Sequence, residues 1–390
     1  MNRSNSGVNL PALRTHNAAL VLDLLRVAGA RGISRLELAE RTGLTPQAVS
    51  KITARLRAEG LVAGAGHRVS TGGKPRTVLR LVPDAGYAVG LHLDRDGLTA
   101  VLVDLSGAVA GSRTAPLDLG APADEVLAAA ADAVTAVRDG GAVAAAGEGG
   151  AGSAVRGGGA GPVDRPVLGV GVAVPGPLDH RGGVLHRVTG FPQWDGYPLR
   201  DALAVRTGLP VVVDKDTNAA ALGLALRAEG GGDFAYLHLG TGLGAGLVLG
   251  GALHRGARTG AGEFGHQTVQ LDGPVCGCGG RGCIEALCLA AVARGDAAEA
   301  ARVLGTGAAN LVGLLGIDRV VLGGRTVAAD PDTYVRGVRA VLDERAGRGG
   351  RGGADVPVAA AGGGDRPVAE GAAQLVLAPL FGRAGGAGEA

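Results

Sequence analysis

Four residues that could bind a metal ion, one histidine and three cysteines, lie close together in a glycine-rich stretch. His266 is followed by Cys276, Cys278 and Cys283, which are three of only four cysteines in the chain. One imidazole and three thiolates form the ligand set of a closed tetrahedral zinc site. A disulfide is the alternative, but it fits poorly because nothing else in the sequence indicates secretion. The pattern predicts a structural Zn²⁺ bound by these four residues, with Cys288, in an apolar run, as a buried small hydrophobic residue.

The distribution of charge suggests that only one end of the chain meets a polyanion. Residues 1–80 carry 13 lysines and arginines against four acidic residues, a net charge of +9, whereas the whole chain carries only +2. With 390 residues the chain has room for two or three domains. It contains no apolar run of signal-peptide or membrane-spanning length, so we expect a soluble, cytoplasmic protein without membrane contact.

The basic segment has the sequence pattern of a winged helix-turn-helix. A second helix opens with the capping box Ser34-x-x-Glu37, and after a turn at Gly43 a third helix begins at Thr45-Pro46 and extends to about Glu59. Leu36, Leu38 and Ala39 are expected to form the apolar face of the second helix, and Val49, Ile52 and Leu56 that of the third. Residues 61–62 and 78–81 are expected to form the two strands of a wing. The alternative is a small helical bundle with a solvated basic face.

In a helix-turn-helix the first residues of the third helix enter the major groove, where they reach base edges and phosphates. We therefore expect this helix and the wing to contact double-stranded DNA. The predicted DNA-binding residues are Thr45, Gln47, Ser50, Lys51 and Arg55, with Lys74 and Arg76 in the wing.

From residue 86 onwards the pattern is α/β. Buried strands are predicted at 87–93, 98–103, 167–174, 211–213, 235–239, 245–249 and 319–322, and helices at 122–137 and 219–228. Two Gly/Ala-rich segments, 140–161 and 347–364, have no hydrophobic periodicity and are expected to be loops.

The motif that runs from Glu263-x-Gly-His266 to Cys283-x-Glu285 resembles the signature of the ROK family of sugar kinases and sugar-responsive repressors. The resemblance covers nearly all of residues 17–382 and implies an actin-like fold of two lobes that close over a cleft. It also implies that Glu263, His266 and Glu285 contact a sugar. Asp216 matches the acid that deprotonates the sugar hydroxyl in the kinases, and a carboxylate there can equally serve recognition alone. Lys74 matches the basic wing residue that reaches the minor groove in ROK repressors.

The segment that should hold ATP departs from the kinase pattern. Where ROK kinases have Asp-x-Gly-Gly-Thr, this chain has His92-Leu-Asp94-Arg95-Asp96. Two carboxylates repel phosphate, and side chains in place of glycine block a backbone cradle. Glycine-rich turns persist at 240–246 and 321–324, but such turns also serve ordinary strand connections. We therefore expect no phosphoryl transfer.

Two asparagines common in the sugar site are also replaced, by Gly190 and Lys215. Lys215 could shift preference towards an acidic or phosphorylated sugar. Alternatively, it is ion-paired with Asp214 or with a neighbouring acid.

Together these features predict an α/β protein with an N-terminal winged helix-turn-helix followed by a two-lobed actin-like ATPase (ROK) domain. The expected boundaries are 1–82 for the head and 83–390 for the ROK domain, with lobe one at about 83–205 plus a C-terminal helix 366–390 and lobe two at about 206–365. The expected function is that of a sugar-responsive regulator, a repressor acting as a homodimer or homotetramer. The alternatives are an active sugar kinase with a fused DNA-binding head, and a DNA-binding protein whose sugar pocket is vestigial.

Overall fold

The computed structural model describes residues 16–68, 76–140, 166–227, 232–348, 356–362 and 366–383. A small helical head with its own sheet is followed by two lobes, each built on a five-stranded sheet. The head comprises α1 (His16–Ala28), β1 (Ile33–Ser34), α2 (Arg35–Thr42), α3 (Pro46–Ala58), β2 (Val62–Arg68) and β3 (Arg76–Leu81), with the sheet order β1-β3-β2.

Side-chain caps fix the start of both helices of the helix-turn-helix. The Ser34 hydroxyl accepts from the Glu37 backbone N–H (3.3 Å), and the Glu37 carboxylate accepts from the Ser34 N–H (2.8 Å), so the predicted capping box is present. The Thr45 hydroxyl accepts from the Ala48 N–H at 3.2 Å and caps α3. These bonds satisfy backbone donors that have no partner inside the helix.

The predicted apolar face of α2 is wrong at one position. Leu38 and Ala39 are buried, but Leu36 is 43% exposed. Residues two positions apart point in different directions on a helix, so Leu36 cannot share the buried side with Leu38.

The first lobe contains a mixed sheet with the order β10-β7-β4-β5-β6. Its strands are β4 (Tyr87–Leu93), β5 (Gly97–Asp104), β6 (Val109–Pro116), β7 (Val167–Val174) and β10 (Val211–Lys215), with α4 (Ala123–Arg138), α5 (Leu199–Thr207) and the short pair β8 (Leu178–Asp179) and β9 (Val184–Leu185) beside it. The expected lobe boundary near residue 206 is too early, because β10 is hydrogen-bonded in parallel to β7.

The second lobe contains a sheet with the order β13-β12-β11-β14-β15. It is formed by β11 (Phe234–Leu239), β12 (Leu243–Leu249), β13 (Ala252–His254), β14 (Arg319–Gly323) and β15 (Val358–Ala360), with α7 (Ile284–Ala293), α8 (Ala297–Leu315), α9 (Arg325–Ala329) and α10 (Pro331–Arg348). The segment 347–364 was expected to be a loop throughout, but β15 pairs in parallel with β14. The other predicted loop, 140–161, lies outside the described residues except for Gly140.

Two helices, α6 (Asp216–Leu226) and α11 (Arg366–Leu377), pack against each other between these sheets. A 3₁₀ turn, Ala378–Phe381, continues α11 and packs against α1 of the head. One apolar cluster combines Leu25 and Leu56 of the head with Val101 of lobe one and Leu380 of this turn. The head is thus packed against lobe one. Among the described helices, none is sufficiently long and apolar to span a bilayer.

Candidate functional site: a polar cleft beside a cysteine cluster

The four predicted metal ligands converge at one point. The Cys276 Sγ lies 3.8 Å from His266 Nδ1, and the Cys278 Sγ lies 3.8 Å from the Cys283 Sγ. All four candidate ligand atoms lie within 4.8 Å of one another. Four ligands at about 2.3 Å around a tetrahedral ion are themselves about 3.8 Å apart. The donor set and the spacing therefore both fit Zn²⁺.

The loop is shaped by its backbone. The Cys276 N–H donates to the Gly280 carbonyl (2.8 Å), and the Gly279 N–H donates to the Cys276 carbonyl (2.9 Å). Gly282, with a φ of 61°, lies so close to the Gln270 carbonyl that a Cβ atom would collide with it. The loop can thus bring Cys283 back towards Cys278 only with glycine at position 282. Cys288 is fully buried in α7, away from this cluster, as predicted.

Beside the cluster lies a polar cleft between the two lobes. It is lined by all four predicted effector residues, Asp216, Glu263, His266 and Glu285. Since the ring nitrogen of His266 that faces Cys276 is Nδ1, Nε2 is the atom left for a ligand in the cleft. Glu285, in the first turn of α7, accepts a hydrogen bond from the Leu243 N–H at 2.9 Å. These contacts fix the cleft wall to the cysteine loop.

Asp216 is the first residue of α6, at the end of strand β10. Its carboxylate accepts from the Thr217 N–H at 2.6 Å. Burial raises the pKa of Asp216 above its usual value, although nearby His238 and the Thr217 N–H act in the opposite direction. The carboxyl group is therefore suited to exchange hydrogen bonds with a hydroxyl.

Lys215 does not offer a free positive charge to the cleft. Its side chain is only 4% exposed, and its Nζ lies 3.1 Å from a Glu263 carboxylate oxygen. The same ammonium group donates to the Ala261 carbonyl. Of the two alternatives for Lys215, the structure supports pairing with a neighbouring acid, and that acid is Glu263 rather than Asp214.

Asp214 has a different partner that the sequence did not indicate. Its carboxylate, 1% exposed, lies 2.6 Å from the Arg255 Nε and accepts from the Asn218 amide at 2.8 Å. Arg255 lies in the segment after β13, far along the chain. No local motif could have identified this pair. It holds the end of β10, and therefore the start of α6, against lobe two.

Two side-chain contacts join the lobes across the cleft, both from the turn in which the kinase pattern is replaced. Asp94, in the turn between β4 and β5, accepts from the Thr241 hydroxyl at 2.9 Å. Asp96 forms a two-bond ion pair with Arg325 at the start of α9, at 2.8 and 3.0 Å. Thr241 lies in one of the glycine-rich turns and Arg325 follows the other. In this chain both turns are thus engaged by carboxylates from the opposite lobe.

His92, which stands where the kinase pattern begins with Asp, is 2% exposed. Its Nε2 has no hydrogen-bond partner within the described part of the chain. Burial lowers the pKa of His92 to about 4, against the opposing influence of Asp94. Burial also disfavours ionisation of Asp94, but His92 and the bonds from the Arg95 N–H and the Thr241 hydroxyl lower the Asp94 pKa overall. At neutral pH His92 is therefore an uncharged imidazole.

The predicted DNA-reading side chains of α3 lie on its solvent side. Thr45, Gln47, Ser50, Lys51 and Arg55 are all exposed, whereas Val49 and Leu56 are fully buried. Arg76 begins strand β3, and Lys74 lies outside the described residues. These polar side chains therefore face solvent along the first three turns of the helix.

Comparison with known proteins matches both parts of this architecture. Residues 163–291 match the model of the ROK family, and residues 22–63 match that of the winged helix-turn-helix DNA-binding family. The chain combines a ROK family domain with a winged helix-turn-helix.

Proteins similar to the chain include named repressors and kinases. The chain is 30% identical over 255 residues to the xylose repressor of Caldicellulosiruptor bescii and 27% identical over 257 residues to that of Bacillus subtilis, covering 65% of this chain in each case. It spans about three fifths of these relatives, 59% and 61% respectively. A shorter segment of 128 residues, 32% of this chain and 40% of the relative, is 43% identical to a glucokinase of Thermotoga maritima.

Two solved structures share the fold to different extents. A ROK family transcriptional regulator, a homolog of the E. coli MLC protein, superposes with a TM-score of 0.71 at 21% identity, covering 94% of this chain and 96% of the other. A ROK family glucokinase from Streptomyces griseus, solved with glucose and AMPPNP, superposes at 0.59 with 26% identity, over 74% of this chain and 99% of its own. The regulator thus matches the head and both lobes, whereas the kinase matches only three quarters of the chain.

Proposed function

We propose that this protein is a sugar-responsive DNA-binding repressor whose ROK family domain binds a sugar without phosphorylating it. One observation carries the proposal. The acids expected to bind a sugar, Asp216, Glu263 and Glu285, converge in an accessible cleft. Where a kinase would bind phosphate, Asp94 and Asp96 instead contact the opposite lobe. The head packed against lobe one supplies the DNA-binding surface.

Phosphoryl transfer would require anionic phosphates and their metal to lie beside these groups. Asp94 and Asp96 would repel the phosphates, and His92 leaves the metal without its usual carboxylate. The Arg325 guanidinium cannot compensate, since both of its Asp96 bonds are already formed. The sugar would therefore act as a signal and not as a substrate.

The charges around the cleft favour a neutral sugar. Lys215 is neutralised by Glu263. The cleft is also lined by three further acids, Asp94, Asp216 and Glu285, against one further cation, Arg95, so its charge balance disfavours an anionic ligand. Carboxyl groups that accept from hydroxyls recognise polyols well. The named xylose repressors among the relatives make a neutral pentose the first sugar to test, followed by neutral hexoses.

Zn²⁺ would be held by His266, Cys276, Cys278 and Cys283 as a structural ion. It would fix the orientation of the His266 ring towards the cleft. Thiolate ligands require a reducing compartment such as the cytoplasm, which is also where operator DNA is found. A homodimer would present two heads to DNA half-sites about 34 Å apart.

Fragment capture tests the proposal. Purified protein is incubated with sheared genomic DNA, with and without xylose or glucose, and the bound fragments are sequenced. We expect a small set of enriched sites whose recovery falls in the presence of one neutral sugar. Enrichment that is unchanged by every sugar would contradict a sugar-responsive role.

A coupled ATP-consumption assay with the same sugars addresses the kinase alternative. We expect no turnover above a protein-free control. Sustained sugar-dependent ATP consumption would replace the proposal with an active kinase carrying a DNA-binding head.

A further inference from the structure

Helix α6 connects the proposed sugar cleft directly to the head. Its first residue, Asp216, lines the cleft. At its other end the carbonyl of Leu226 accepts a hydrogen bond from Arg26 Nη1, 3.3 Å away, and Arg26 belongs to α1 of the head. Eleven helical residues span about 16 Å. One short, continuous element therefore touches both functional regions.

The helix is packed too tightly to move independently of its neighbours. A Cβ atom at Gly246 of β12 would collide with the Thr217 carbonyl, and one at Gly371 of α11 would collide with the Ala219 carbonyl. These glycines let the backbones of α6, β12 and α11 touch without intervening side chains. Close-packed backbone contacts transmit displacement because no flexible side chain absorbs it. A shift at Asp216 is therefore passed to both α6 and α11.

The C-terminal end of α6 and the segment after α11 both contact the same part of α1, at Asp23 and Arg26. The segment after α11 brings Phe381 under the Arg26 guanidinium, 5.3 Å from the ring centroid. It also brings Arg383 Nη2 to 2.8 Å from Asp23. Asp23, 7% exposed, binds Arg26 as well, again at 2.8 Å. Arg26 and Asp23 thus form one charged cluster on the head, which contacts both the C-terminal end of α6 and the segment that follows α11.

We propose that Arg26 and Asp23 are positioning residues through which an occupied sugar cleft changes the placement of the DNA-binding head. The proposal rests on the proposed function. A sugar that binds Asp216 more tightly in one lobe arrangement than in the other favours that arrangement. The favoured lobe arrangement sets the position of α1 through α6 and the Arg26–Leu226 hydrogen bond. The position of α1 in turn sets the placement of α3 on DNA.

The test measures the ratio of operator dissociation constants with and without saturating sugar, using a captured DNA fragment and the sugar that releases it. Arg26→Met keeps the aliphatic length but removes the charge and the hydrogen bonds. The matched control is Arg31→Met, also in the head. The Arg31 side chain is exposed and forms no hydrogen bond or ion pair within the described residues.

We expect a ratio of about 5 to 150 for the wild type, the usual range of allosteric coupling. In Arg26→Met the ratio should fall to within about twofold of 1, while sugar affinity and sugar-free operator affinity change little. Arg31→Met should keep the wild-type ratio, and Arg26→Lys should recover part of it. A merely structural role for Arg26 would instead weaken sugar-free operator binding and leave the ratio intact.

The outcomes separate this proposal from the one on which it rests. If the wild type ignores every sugar, the proposed function fails, and the coupling fails with it. If the wild type responds and Arg26→Met responds equally, the coupling through Arg26 is wrong while the proposed function stands. Should Arg26→Met fail to fold, Arg383→Met gives the same test, because it removes one of the two partners of Asp23 from an exposed position.

Discussion

Acidification from about pH 6.5 to pH 4 should destabilise the folded protein measurably through one buried side chain, His92. Burial lowers the pKa of His92 to about 4, whereas a histidine in an unfolded chain titrates near 6.5. Between these values the unfolded chain binds the proton and the folded chain does not, so the free energy of unfolding falls as the pH falls. The difference corresponds to about 3 kcal/mol, complete above pH 6.5 and lost by about pH 4.

Other groups contribute to the same pH range and must be separated from His92. Because the pKa of Asp94 is lowered, the stability that its ionised carboxylate contributes is lost only at a pH below the range in which His92 titrates. The raised pKa of Asp216 acts with the opposite sign, because its folded form retains a proton that the unfolded form has released. Acid release of a bound metal would also destabilise the fold. The Asp216 and metal contributions are present in wild type and variant alike, whereas the Asp94 contribution depends on His92 but falls at more acidic pH than the assay covers. The informative quantity is therefore the difference between wild type and variant.

The assay is urea unfolding followed by circular dichroism at pH values between about 7.5 and 4.5, on wild type, His92→Leu and His254→Leu. His254 is exposed on β13 and serves as the control. His92→Leu should retain wild-type stability at neutral pH, since the His92 Nε2 gains no hydrogen bond among the described residues. It should also lose about 3 kcal/mol less than the wild type on acidification. Identical pH profiles for all three proteins would refute the reasoning.

Three further predictions concern the metal and the DNA. Metal analysis should find one zinc ion per chain in the wild type and in Cys288→Ala, and none in Cys278→Ala. Equal zinc content in the two variants would show that the cysteine cluster is not the binding site. In the head, Arg55→Ala should weaken binding to all DNA sequences and reduce the slope of log affinity against log salt by about 0.9. Gln47→Ala should instead cost about 1–3 kcal/mol at one base position, and a uniform loss across sequences would assign Gln47 to the phosphates.

Local features of the fold were predictable from the sequence. The capping box at Ser34 and the N-cap at Thr45 depend only on residues three positions apart. The cysteine cluster depends on a short loop, so the spacing of Cys276, Cys278 and Cys283 already implied their convergence. Strand β7 was predicted with its observed ends because its apolar run is continuous and bounded by prolines.

Contacts between distant segments could not be predicted in the same way. The pairs Asp214–Arg255, Asp96–Arg325 and Arg26–Leu226 join residues that become neighbours only after the lobes and the head have packed together. Strand β15 was not predicted because it is short and lies in a glycine-rich segment. It forms because its backbone pairs in parallel with the edge of β14.

The most direct test of the account is the affinity of the protein for a captured operator fragment, measured by fluorescence anisotropy as a neutral sugar is added. We predict that the dissociation constant rises about 5- to 150-fold and then saturates. We also predict that Asp216→Ala requires more sugar for the same effect. Calorimetry that shows sugar bound in the cleft, together with an operator dissociation constant that does not change, would contradict it.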